Sequence, residues 1–237
     1  MDRIYRKSEL EFALLWIGIY VISMGIADDL SAAAGMAKLV TLPVCIGLIA
    51  VMVRFLRRSG LTGAFGLCRG TGTPGDYLWF LPILLLLSVN LWNGIRLDTP
   101  LPETVLFVLS MFCVGFLEEI LFRGFLFRAL LRDNVKTAIL ISSLTFGIGH
   151  LVNLLSGSPI LATLLQIAYA SAIGFLFTVI FYRSGSLWPC ILAHGAFNAL
   201  SMFGRPYASA VAEIGASLAL CVLSLSYAWW ILRKTRH

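Results

Sequence analysis

The sequence predicts an all-α polytopic membrane protein with about eight transmembrane helices. Three observations predict it. Mean hydropathy is +0.90, with 59% hydrophobic and only 13% charged residues, where a soluble domain carries about a quarter charged. The apolar residues fall into runs near the ~20 that cross a bilayer. The Lys and Arg residues gather in alternate links between those runs, as the positive-inside rule requires.

The runs read 10–27, 37–57, 76–94, 103–131, 136–152, 159–182, 187–203 and 208–232. The first follows Arg3, Arg6 and Lys7 in the manner of a secretion signal, and SAAAG at 31–35 offers small residues for cleavage. Glu9 and Glu11 break its start, so it is expected to be retained as the first span. RGTGTPGD at 69–76, RLDTP at 96–100 and GSP at 157–159 supply turn chemistry between runs. The runs at 136–152 and 187–203 are short and are expected to lie little tilted or partly recessed. No internal repeat or low-complexity tract interrupts the chain, which reads as a single integral membrane domain over 1–237.

With the N-terminus inside, fourteen cations fall on the cytoplasmic side against three outside, Lys38, Arg96 and Arg205, with Arg123 left within a span. Both termini are then cytoplasmic. The net charge of +6 reflects these loops; no zinc-finger spacing or basic-aromatic stripe points to nucleic acid. Cys45, Cys68, Cys113, Cys190 and Cys221 are odd in number and form no CxxC pair, so neither disulfides nor a Cys metal site is expected.

Ionisable side chains inside a span are costly and default to a functional hypothesis. FLEEILFRGF at 116–125 places Glu118, Glu119 and Arg123 among apolar residues. Glu119 and Arg123 are four apart on one helix face and can neutralise each other. Glu118 points about 100° away and has no such partner on its own helix. FGIGH at 146–150 sets Phe146 and His150 on one face, and Gly147 and Gly149 would let a helix or a peptide backbone approach closely. HGAFN at 194–198 sets His194 and Asn198 on one face. The turn between the fourth and fifth runs centres near Asn134, sixteen residues from both Glu118 and His150, so an antiparallel hairpin brings these two to equal depth. His194 and Asn198 enter from the cytoplasmic side and lie about 10–17 Å in, somewhat shallower unless the hairpin extends beyond the bilayer, as Arg128, Arg132 and Lys136 suggest it does. Taken singly, each group has a plainer reading: a histidine or Asn198 as interhelical hydrogen bonder, the Glu–Arg pair as a helix lock. Two histidines in spans, beside an unpaired glutamate at matching depth, favour a site.

EEILFR, FGIGH and HGAFN read as EExxxR, FxxxH and HxxxN in order. Over about 104–203 the chain resembles the CAAX protease and bacteriocin-processing family (the CPBP or ABI family, type II CAAX prenyl endopeptidases) of intramembrane proteases; the flanking runs match only as generic apolar helices. The resemblance implies peptide-bond hydrolysis inside the membrane, most simply that of a bacterium. Glu118 would activate water, His150 would share it, and His194 and Asn198 would stabilise the oxyanion. Glu119, Arg123 and Phe146 would support the site. The expected partners are membrane lipid and a peptide or protein substrate, prenylated or a peptide precursor. Such enzymes are described as metalloproteases, and Glu118, His150 and His194 would be the ligands of a Zn²⁺. Asn is a poor zinc ligand, so the expected cofactor is none or zinc, with the metal-free reading preferred. Two other classes remain: a non-catalytic bacteriocin self-immunity or accessory protein of the same family, and a proton-coupled transporter relaying through Glu118.

Overall fold

The computed structural model describes residues 1–68 and 81–234. The link at 69–76 and the first part of the expected run 76–94 lie outside the described residues. Those residues are helical, without strands; one isolated bridge joins Ile95 and Gly204. After a short α1 (Asp2–Lys7), α2 (Glu9–Ala33) starts where the Ser8 side chain accepts from the Glu11 amide at 3.1 Å. Glu9 and Glu11 sit in its first turn, where the helix dipole favours them. Helix α3 (Thr41–Arg58) returns beside it. Lys38, in the left-handed region at φ 65°, makes the turn and reaches Asp28 at 2.8 Å, and Thr41 donates to the same carboxylate.

Helix α4 (Leu81–Ser88) continues as a 3₁₀ turn to Leu91. Helix α5 (Leu101–Glu119) runs directly into a π-helical segment, Ile120–Phe127, and then α6 (Arg128–Leu131). All eight π-helical residues are buried. Asn134 caps α7 (Val135–Gly149) by accepting from the Thr137 amide, and a 3₁₀ turn, His150–Leu154, follows. Then come α8 (Ile160–Ser184), α9 (Trp188–Leu200) and α10 (Ala210–Lys234).

Five of these helices are long and apolar enough to cross a membrane: Glu9–Ala33, Leu101–Leu131, Val135–Leu154, Ile160–Ser184 and Ala210–Lys234. The other three expected spans are shorter or more charged. Helix α3 has 18 residues but carries Arg54, Arg57 and Arg58 at its end. Leu81–Leu91 is a short apolar helix. Helix α9 has 13 residues, about 20 Å of rise against ~30 Å of hydrocarbon. Its start is covered by protein. Leu187 is buried and donates its amide to the Gly66 carbonyl at 2.9 Å, so the segment at 61–67 covers it. Gly66 sits at φ 73°, where a Cβ would collide with the Phe181 ring.

Close helix crossings set the rest. A Cβ on Gly115 of α5 would fall 2.7 Å from the Gly195 amide nitrogen of α9. A Cβ on Gly147 of α7 would fall 2.7 Å from the Ile167 carbonyl of α8. Small residues let membrane helices touch by backbone, where packing replaces the hydrophobic effect as the driving force. The aromatic cluster of Phe12, Phe55, Phe65 and Phe125, with ring centroids 5.0 to 5.2 Å apart, fills the end of the bundle where α2 begins.

Gly115→Val is expected to push α5 from α9 and to cost about 1–3 kcal/mol, a fall of roughly 2–10 °C in melting temperature for the detergent-purified protein. Gly18→Ala, at a position with open space around it, should leave the melting temperature unchanged or raise it. Equal behaviour of the two variants would refute the close crossing.

Candidate active site

Glu119 and Arg123 are wholly buried and meet at 3.1 Å, as their spacing predicts. The guanidinium needs more than a partner. It lies 4.3 Å over the Phe146 ring and 5.9 Å from that of Phe177. Gly174 leaves room for it, because a Cβ there would stand 3.0 Å from Nη2. Phe146 is therefore a cation–π support for Arg123, which explains an aromatic residue in the FxxxH motif.

The pair is not closed on itself. Glu119 Oε1 also meets His194 Nδ1 at 2.8 Å. A carboxylate only accepts, so Nδ1 carries the hydrogen. The other ring nitrogen, Nε2, then faces Glu118 Oε2 at 3.4 Å. Glu118 Oε1 accepts from the Tyr20 hydroxyl at 2.7 Å. One chain of contacts thus runs Arg123, Glu119, His194, Glu118, Tyr20, across the π segment, α5, α9 and α2.

Glu118 has no partner on its own helix, but α2 and α9 each bring one. His194 stands level with Glu118, as expected where the hairpin of the fourth and fifth runs extends beyond the bilayer. Tyr20 escaped sequence reasoning: it lies 98 residues from Glu118, in a run that read as a generic apolar helix. A single tyrosine amid aliphatic residues was the only available signal.

Glu118, His150 and Asn198 line one cavity of about 430 Å³. No hydrogen bond joins His150 to Glu118; the shared level predicted by the hairpin appears as shared walls. The His150 ring packs edge-on against Phe146, centroids 5.5 Å apart. Asn198 is half-buried and its side-chain amide makes no hydrogen bond among the described residues, so its donors are available. Gly149 lines the cavity with nothing within 4 Å of its would-be Cβ, whereas Gly147 is spent on the contact with α8. Of the two glycines expected to admit a backbone, only Gly149 is placed to do so. Val21, Met24, Phe107, Met111 and Val114 make the walls apolar.

Among the described residues no three His, Cys, Asp or Glu side chains are grouped to hold a metal ion. Glu118 and His194 approach each other through Nε2, but His150 is not grouped with them. The zinc set Glu118, His150 and His194 does not fit this arrangement.

Residues 100–200 match the family described as Type II CAAX prenyl endopeptidase Rce1-like. The match contains all three motifs, so the resemblance read from them holds for this segment. No curated protein matches the chain.

Arg123→Ala would leave Glu119 buried against His194 alone, and is expected to cost about 3–5 kcal/mol. Arg123→Met combined with Glu119→Gln should recover much of that loss, because neither charge is then stranded. Thermal unfolding in detergent measures both; additive losses would show that the pair is not coupled.

Proposed function

We propose that this chain is an intramembrane endopeptidase in which Glu118 activates a water for attack on a peptide carbonyl. The observation that carries the reading is the floor of the cavity. There Glu118 lines the cavity and stands 3.4 Å from the buried His194 imidazole behind it, the carboxylate accepting from Tyr20 and the imidazole donating to Glu119. Several apolar helices and the match at 100–200 support a membrane protease of this kind.

The steps follow from hydrogen-bonding inventory. Tyr20 fixes Glu118 Oε1 and leaves it a further lone pair toward the cavity. A water held there, and by His150 across the cavity, gives its proton to Glu118 as its oxygen attacks the carbonyl carbon. General-base assistance of this type is worth about 10²–10⁴ in rate. Because Glu119 holds Nδ1–H, His194 Nε2 is an acceptor in the neutral ring. The proton taken by Glu118 can pass to it, and only then does Nε2 become a donor. His194 and the free Asn198 amide can then stabilise the oxyanion, where one donor is worth about 10²–10³. The proton leaves with the departing amine, and the site returns to its starting state. No step passes through a metal.

The proposed arrangement has eight crossings, three of them made by the shorter helices packed among the five long ones. Irregular or short elements are tolerated at membrane depth where protein covers them. The substrate is a peptide with an apolar flank, prenylated or not, to suit the apolar walls.

Glu118→Gln, His150→Ala and His194→Ala should each lower turnover by at least about 10² while Glu118→Gln and His150→Ala remain folded. Comparing membrane peptides from wild-type and Glu118→Gln cells reads this; substantial cleavage by Glu118→Gln removes the base assignment, and no difference at all favours the immunity or accessory role. Tyr20→Phe should lower turnover by roughly tenfold, about one hydrogen bond to a charged group. Elemental analysis of active, detergent-purified protein should find much less than one zinc per chain, with activity surviving chelation. Stoichiometric zinc, with activity lost on chelation and restored on add-back, would make His150 and His194 ligands instead.

A further inference from the structure

The cavity has a direction, and so does the charge. Its lining follows α2 from Tyr20 through Val21, Met24 and Gly25 to Asp28 and Asp29, and closes with Lys38, Asn153, Ser156 and Ser201. These last residues belong to the end of α2, the α2–α3 turn and the trailing ends of α7 and α9, which alternation of the helices places at one end of the bundle. Asp28 lies eight residues beyond Tyr20, so the rim stands about 12 Å above Glu118.

The opposite end carries the cations. Arg132, just after α6, reaches Glu9 at the start of α2 at 2.7 Å. Ser59, after α3, donates to Asp2 of α1 at 2.8 Å. Arg183 at the end of α8 contacts the Leu232 carbonyl near the end of α10. Arg54, Arg57, Arg58, Arg128, Lys136 and Arg233 share that end through the elements these contacts tie together. Among the described cations only Lys38, Arg96 and Arg205 lie at the rim end, and Lys38 is engaged by Asp28. The positive-inside rule then makes the cationic end cytoplasmic.

The path from the cavity floor to that end is shut. Leu121, Phe125 and Phe127 are buried beneath Glu118, and Phe12, Phe55 and Phe65 pack on Phe125 and one another. The Arg128 guanidinium stands 5.5 Å over Phe65. A peptide arriving from the cytoplasm would have to displace this cluster.

We infer that the substrate enters from the non-cytoplasmic face, and is therefore an exported or externally exposed chain rather than a cytosolic C-terminus. This rests on the endopeptidase reading. At ~3.3–3.6 Å per extended residue, about four residues must lie between the rim and the scissile bond. The cleaved bond is then at least that far from any folded domain of the substrate.

Two measurements test it, and they fail separately. The first is labelling of intact cells with a membrane-impermeant maleimide, using Ser156→Cys, or Asp29→Cys should that variant misfold, in the full chain with Cys68→Ser. The rim cysteine should react without permeabilisation. Cys68 of the wild-type chain, at the cationic end beside the Gly185 carbonyl, should react only after it. The reverse pattern overturns the inference. The second maps the peptides present in wild-type and missing in Glu118→Gln cells onto their parent proteins. Non-cytoplasmic segments are expected, and cytoplasmic C-termini overturn the inference even if labelling succeeds. If no peptide differs, the endopeptidase reading fails and the substrate class falls with it, while the labelling still fixes which way the cavity faces.

Discussion

Burying Arg123 governs this molecule. A guanidinium inside a membrane bundle cannot remain without compensation, and one carboxylate oxygen at 3.1 Å leaves most of its donors unused. The compensation comes from three helices. Glu119 supplies charge, Phe146 and Phe177 supply ring faces, and Gly174 supplies space. The π-helical winding that begins after Glu119 keeps the whole segment 120–127 buried; insertions of this kind recur at functional sites. Once Arg123 is fixed, Glu119 is fixed, and its shared oxygen orients His194.

That sharing turns a structural device into a chemical one. Arg123 holds Glu119 in place, and the same carboxylate oxygen meets His194. The carboxylate in turn holds Nδ1–H and thereby decides which nitrogen of His194 meets Glu118. Helix α9 can bring His194 that far only because its start is recessed under the segment at 61–67 and Gly115 and Gly195 let the two backbones touch. The packing of small residues and the electrostatics of the site are one constraint seen at two positions.

Much of this was legible because membrane sequences are restrictive. The four-residue spacing of Glu119 and Arg123 gave their pairing from helix geometry alone. Equal distances from Asn134 placed Glu118 and His150 on the same cavity. The cation distribution gave a polarity that the contacts of Arg132, Ser59 and Arg183 express in three dimensions. Tyr20 was illegible, since a hydroxyl meeting a carboxylate 98 residues away leaves no local pattern. The bond between His194 and Glu119 was hidden by the plausible assumption that an i,i+4 pair is self-sufficient. The relative depth of His194 stayed open in the sequence because residue counts measure distance along a helix, not where the helix begins. Five of the eight expected spans have the length and composition of a crossing on their own; apolar composition marks burial, and a helix can be buried in protein as well as in lipid.

The same reasoning explains why the cavity opens where it does. The proposed hydrolysis needs water at Glu118 and a dry Arg123–Glu119 pair, since hydration would weaken the field that orients His194. The structure separates the two needs along one axis. Polar side chains, Asp28, Asn153 and Asn198, line the cavity from the rim to Glu118. On the other side the rings of Phe12, Phe65 and Phe125 close the bundle. The cationic end can then be tied together by Arg132 and Glu9 without opening a second path to the site. A site open at both ends would lose the dry pair; one closed at both would lose its water.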